Sequence, residues 1–224
     1  MPRFLEALMT IPVTLISPQT FFIDACLGAF ERSELQLRCR VFQQRFDLSE
    51  LGEERPRIVI FDAATDWMSP LVLLDRLKKL QPDARMICYL HQLSGGRAQS
   101  LLNLNVRGLC DRRISATDLV AGMKRVLRGE TFLSPRVAQS LALGQLRRDD
   151  PFYALSAREL TVCDLVTSGI KAPEIASTLD VSPKTINTYR YRIFEKLGID
   201  SDVQLTHLAY RHGRKALESE HERI

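Results

Sequence analysis

Between Ser182 and Gly198 the chain gathers side chains suited to a nucleic acid: Lys184, Thr185, Asn187, Thr188, Arg190, Tyr191, Arg192 and Lys196. Asparagine can give an adenine edge two hydrogen bonds, and a threonine methyl can meet the methyl of thymine. Tyrosine offers a ring and a hydroxyl to base or phosphate. Lysine and arginine neutralise phosphates, which position a protein on DNA without specifying sequence. Four cations stand here against Glu195 alone. A second residue with chemical potential is Asp62, which closes the apolar run Arg57–Phe61 (RIVIF).

The elements that must position the first group are legible. Ser156–Glu159 has the form of a capping box, in which the serine oxygen takes a first-turn amide and the glutamate returns to the serine amide. The helix that follows buries Leu160, Cys163 and either Val166 or Thr167, and ends at Gly169. A second helix spans about Ala172–Leu179, with Ile175, Ala176 and Leu179 inward. After the tight turn Asp180-Val181-Ser182, the pair Ser182-Pro183 opens a third helix that runs to Leu197 and stops at Gly198. A fourth runs from Ser201-Asp202 to Gly213. Two helices joined by a three-residue turn, the second capped and basic, form a helix-turn-helix.

The wheel of the third helix separates packing from reading. At about 100° per residue, Ile186, Ile193 and Leu197 fall within about 20° of one line, the core stripe. Lys184, Asn187, Thr188 and Tyr191 fall opposite, near the amino-terminal half that enters a major groove. Lys184, Arg190, Arg192 and Lys196 are better placed on phosphates; Arg190 lies close enough to the core line to run along the flank or pair internally.

The first two thirds alternate strands and helices. Strands are expected at Ile11–Ile16, Leu35–Val41, Arg57–Phe61, Arg85–Leu90 and Gly108–Cys110. Ser17-Pro18, Ser69-Pro70 and Ser115 read as helix caps, and Gly129 as a stop. The first helix runs through Phe21, Phe22, Ala25, Cys26 and Phe30. Strands apolar on both faces imply a doubly wound, five-stranded parallel sheet covered on both sides. Such sheets work at the carboxyl ends of their strands, here Ser17, Asp62, Leu90 and the Asp111–Arg113 turn. The expected division is an α/β domain over 1–130, a connecting helix and hinge over 131–151 with Gly144 weakening the helix, and an all-α four-helix domain over 152–224.

Composition excludes several classes. The 224 residues are 45% hydrophobic and 26% charged with a net charge of +4, ordinary for a globular chain and mildly basic. Five scattered cysteines without a Cys-x-x-Cys pair fit small buried hydrophobes in a reducing cytoplasm and give no metal site. No apolar run approaches the ~18 residues of a membrane span. Met1–Thr10 reads as a short extension without the basic region or cleavage site of a signal peptide. Gly95-Gly96 is an isolated pair rather than a phosphate loop, and no serine, histidine and aspartate constellation stands out, so an enzyme is not expected.

The strand pattern over residues 11–130, with an aspartate closing the third strand, resembles a response-regulator receiver domain. The resemblance places Asp62 at the phosphoacceptor position, yet Ser17 and Pro18 stand where receivers carry an acidic pair for Mg²⁺, Leu90 at the Ser/Thr switch, and Arg112 or Arg113 at the lysine. One carboxylate beside a serine and a proline gives Mg²⁺ too few oxygens, and arginine's planar fork places its charge differently from lysine. Asp66 is a second carboxylate within reach in sequence. Two readings of Asp62 stay open, a strand-end aspartate and a working phosphoacceptor.

The segments Leu155–Glu159, Glu174–Ala176, Val181–Ile186 and Lys196–Gly198 look like the NarL/LuxR (GerE-type) domain. The run Asn187–Leu197 (NTYRYRIFEKL), with Ser201–Val203 and Arg211–Gly213, resembles the GacA/UvrY branch of response regulators. The resemblance implies a cytoplasmic transcriptional regulator without cofactor that binds double-stranded DNA in the major groove, as a homodimer on an inverted repeat, joined through the fourth helix. It leaves room for a heterodimer with a related regulator and for contact with RNA polymerase.

Overall fold

The computed structural model describes residues 10–43, 46, 48–51, 55–63, 70–91, 93, 95–146 and 150–212. Contacts divide the chain into two compact units, one of residues 1–93 and 101–140, the other of 94–100 and 141–224.

The first unit is built on a parallel sheet. Its strands are β1 (Ile11–Ile16), β2 (Leu37–Phe42), β3 (Ile58–Asp62), β4 (Arg85–Leu90), β5 (Gly108–Asp111) and β6 (Phe132–Leu133), in the order β2-β1-β3-β4-β5-β6. Every pairing is parallel, with Asp62 opposite Tyr89 and Leu90 opposite Asp111 in register. Crossovers are made by α1 (Thr20–Glu31), α2 (Pro70–Leu80), α3 (Gly95–Asn103) and α4 (Ala116–Leu127). All of β3 is buried, which is why it reads as an unbroken apolar run.

Six strands replace the expected five. The sixth is only Phe132–Leu133, too short for any periodicity, and it is held by geometry at a distance. Gly122 of α4 has no side chain where a Cβ would come within 2.5 Å of the Phe132 ring. That gap lets the strand close against the helix. The second strand begins two residues later than expected, because Ser33 Oγ donates to the Phe30 and Leu35 carbonyls and holds a turn there.

The Ser-Pro signals differ among themselves. Ser115 caps α4 as expected, its oxygen accepting from the Asp118 amide at 3.0 Å. Ser17 does not cap α1, whose N-cap is Gln19 without a side-chain bond. The Ser17 oxygen accepts from the Gln19 amide at 3.1 Å, ahead of the helix, and its hydroxyl donates to the buried carboxylate of Asp62. Ser134 likewise donates to Asp111 Oδ1 at 2.6 Å. Ser69 lies outside the described residues. On α1, Phe22, Cys26 and Phe30 recur every four residues and point inward, whereas Phe21 is exposed.

Beyond the sheet, α5 spans Pro135–Leu146 and continues through Gly144. Arg147 to Asp149 lie outside the described residues, and a 3₁₀ turn spans Pro151–Ala154. The second unit then contains α6 (Ala157–Thr167), α7 (Ala172–Leu179), α8 (Pro183–Leu197) and α9 (Asp202–Arg211). Helix α6 packs on the other three, and its residues Glu159–Thr167 are all buried. Ile175, Ile186, Ile193 and Leu205 meet no solvent and form the centre of this small core. Among the described residues no helix is long and apolar enough to cross a membrane.

Candidate nucleic-acid interface

The helix-turn-helix pair is α7 and α8. Asp180 ends α7 in the left-handed region at φ 55°, and the Val181 amide donates to the Ala176 carbonyl at 3.0 Å. An aspartate tolerates this conformation better than most residues. Ser182 then caps α8 by accepting from the Thr185 amide at 3.1 Å, with Pro183 in the first turn. Gly198, at φ 64°, closes the other end. These two locks fix which residues α8 turns outward.

Ile186 and Ile193 face the core at 0% exposure, and Leu197 is half-buried. Lys184, Asn187, Thr188 and Tyr191 are exposed, as the wheel requires. Thr188 Oγ1 donates to the Lys184 carbonyl at 3.0 Å, which leaves its methyl group outward. Thr185 is half-buried, and its hydroxyl shares a 2.8 Å hydrogen bond with Ser182. It belongs to the cap as much as to any surface.

Two of the cations expected on phosphates are engaged inside the unit. Lys196 donates to the buried Glu159 at 2.7 Å. Arg190 grips both carboxylate oxygens of Asp202, at 3.2 and 2.5 Å, and donates to Asn187 Oδ1 at 3.4 Å. The sequence allowed internal pairing for Arg190 but not for Lys196; its partner lies 37 residues away and shows no pattern along the chain. Arg192 and Lys184 form no ion pair among the described residues and stay exposed.

The carboxyl ends of the strands hold a different arrangement. Asp62 is wholly buried. Its Oδ2 accepts from Ser17 Oγ at 2.8 Å, and its Oδ1 lies 2.7 Å from Nε2 of His91. His91, just past β4, did not stand out in the sequence. Only its place at the strand end could have drawn attention. Its ring meets Tyr89 edge-on, and Tyr89 stacks on Phe22 at 4.0 Å. Burial and the nearby Asp62 push the Tyr89 hydroxyl above its ordinary range.

Serine, aspartate and histidine thus meet, but not as a hydrolytic triad. There the imidazole stands between serine and carboxylate and takes the serine proton. Here the carboxylate stands in the middle, so the serine is not activated.

The group a receiver would hold is Mg²⁺, and these residues do not fit it. Ser17 and Pro18 provide no carboxylate, Asp62 Oδ2 already accepts from Ser17, and the His91 ring stands 2.7 Å from Oδ1 without donating a hydrogen bond. A second buried acid at the strand ends, Asp111, accepts from Ser134 and from Arg136 at 3.2 Å. Leu90, at the switch position, is buried and has no polar side-chain atom. Arg112 and Arg113 are both exposed. Asp66 lies outside the described residues.

Residues 153–209 match the family described as bacterial regulatory proteins, luxR family. The chain is 34% identical over 171 residues to the response regulator GacA of Pseudomonas aeruginosa, covering 75% of this chain and 80% of that one. It is 31% identical over 159 residues to the response regulator UvrY of Escherichia coli, covering 70% and 73%. Its fold is similar to RcsB of Salmonella enterica serovar Typhimurium, solved bound to the promoter rprA with a phosphomimetic. The TM-score is 0.69 at 20% identity, over 89% of this chain and 98% of that one. By its helix-turn-helix, its parallel sheet and these relatives, the chain belongs to the LuxR-type response regulators, the DNA-binding transcription regulators that include GacA and UvrY.

Proposed function

We propose that this protein is a sequence-specific regulator of transcription that works largely without phosphorylation of Asp62. Residues 152–224 act as the DNA-reading domain, 1–130 as a receiver-like domain, and 131–151 as their connection. Lys184, Asn187, Thr188 and Tyr191 read bases in the major groove, with the Thr188 methyl aimed at thymine. Arg192 and the exposed flank of α8 hold phosphates.

A homodimer on an inverted repeat is the proposed DNA-bound form. Its support is α9, where Val203 (67% exposed) and Tyr210 (48% exposed) sit two turns apart on one face. An isologous contact sets equal patches against each other, so one apolar stripe suffices.

The observation that carries independence from phosphorylation is the buried Asp62, whose Oδ2 accepts from Ser17 and whose Oδ1 has the His91 ring packed 2.7 Å away, with Ser17 and Pro18 where an acidic pair would stand. Transfer to a carboxylate needs that oxygen free and the phosphoryl charge neutralised. The test is incubation of the full chain with acetyl phosphate and Mg²⁺, followed by intact mass and DNA binding. Unmodified protein with unchanged DNA binding is expected. A stoichiometric acyl phosphate that disappears in Asp62→Ala would overturn the proposal.

A further inference from the structure

Neither the DNA-reading helix nor the Asp62 end of the sheet uses the opposite end of the α/β unit. There the amino ends of β3 and β4 run side by side, the Arg85 amide donating to the Arg57 carbonyl at 3.0 Å. Beside them opens a cleft of about 580 Å³ walled by Arg55, Pro56, Arg57, Leu80, Pro82 and Arg85. In this lining three guanidinium groups stand against the single carboxylate of Asp83. Among the described residues none of the three arginines forms an ion pair. Arg125 and Arg128, at the same end of the unit, are neutralised by Glu130 at 3.1 and 2.7 Å. Among the described residues, positive charge thus outnumbers negative in the cleft lining, whereas beside it the two arginines are paired.

The walls are not uniformly polar. Leu80 keeps 40% of its surface exposed although it is a large apolar residue. Pro82, which is exposed, adds flat, rigid apolar surface. Gln81 is buried and donates through Nε2 to the Leu51 carbonyl, which fixes the segment carrying Leu80 and Pro82.

A guanidinium presents a planar fork that matches phosphate oxygens and also stacks on flat rings. The volume falls in the range of small-molecule sites. A DNA duplex does not fit a cleft of this size, and bare phosphate would leave the apolar wall unused. We propose that the cleft binds a small phosphorylated ligand of nucleotide size, with phosphate on Arg57 and Arg85, Arg55 at the rim, and an apolar or flat body against Leu80 and Pro82. Such a ligand gives the regulator an input at the end of the sheet remote from Asp62.

The test is calorimetric titration of the full chain with ADP, adenosine and pyrophosphate. ADP is expected to bind once per chain, with adenosine weaker by about tenfold or more. Arg57→Ala and Arg85→Ala should each weaken ADP about tenfold, since each removes charge-assisted hydrogen bonds. Arg125→Ala, outside the cleft, and Lys184→Ala/Arg192→Ala, on the DNA-reading helix, should leave ADP binding unchanged. Arg57 is exposed, so its variant carries the test even if Arg85→Ala fails to fold. The proposal is overturned by no ADP binding at about 1 mM. It is equally overturned by adenosine or pyrophosphate binding as tightly as ADP, or by loss of binding in Lys184→Ala/Arg192→Ala.

Discussion

Lys196 Nζ lies 2.7 Å from Glu159 Oε2, tying the last turn of α8 to the first turn of α6. The same Oε2 accepts from the Ser156 amide at 2.7 Å, so one oxygen serves both the capping box and the recognition helix. The orientation of the DNA-reading surface therefore depends on a buried acid that touches no DNA. Lys196→Ala should cost about 1–3 kcal/mol of domain stability, because it removes a charged partner from a buried carboxylate. Urea unfolding measures this. An unchanged midpoint would return Lys196 to the phosphates alone.

The same pair sets a pH dependence. Burial alone would raise the Glu159 carboxyl, but the hydrogen bonds from Lys196 and Ser156 prevail and hold it below its ordinary value of 4.5. A carboxyl lowered in the fold contributes stability above its unfolded value, and that contribution is lost as pH falls through the folded value. The gap in melting temperature between wild type and Lys196→Ala should thus be full at neutral pH and shrink below pH 4.5. Melting curves from neutral to about pH 3 show it. A gap that widens on acidification would reverse the sign.

Reading and positioning residues should separate by specificity. Asn187→Ala or Thr188→Ala is expected to cost about 1–3 kcal/mol at its own base position and to relax preference there only. Arg192→Ala should weaken all sequences alike and flatten the salt dependence. Binding to a library of single-base variants at two salt concentrations checks both. A change in base preference with Arg192→Ala would contradict the division.

The Ser17 hydroxyl supports Asp62 where no water reaches it. Ser17→Ala should lower stability by about 1–3 kcal/mol, the cost of removing a donor from a buried charged acceptor. DNA binding below the melting temperature should be unaffected. Thermal melts with parallel gel shifts decide, and a loss of DNA binding without loss of stability would tie this end of the sheet to output.

What was legible in the sequence was local. The capping box at Ser156 and Glu159, the Ser182-Pro183 start and the Gly198 stop are signals a few residues apart, and the structure carries all three. The parallel sheet was legible because β3 and β4 are buried on both faces. What escaped depended on partners far along the chain. Ser17 reads as a cap, yet the helix starts past it at Gln19 and its hydroxyl supports Asp62, 45 residues later. Lys196 reads as a surface cation until Glu159 appears beneath it. His91 carries no spacing signal at all, and β6 is two residues whose strand state depends on the gap at Gly122.

On the function proposed above, DNA reading by α8 does not wait on phosphorylation of Asp62. Genome-wide mapping of the sites bound by wild type and by Asp62→Ala, expressed at equal level in the native host, tests it most directly. The account predicts two superimposable maps with one shared inverted-repeat motif; loss or displacement of the sites in Asp62→Ala would contradict it.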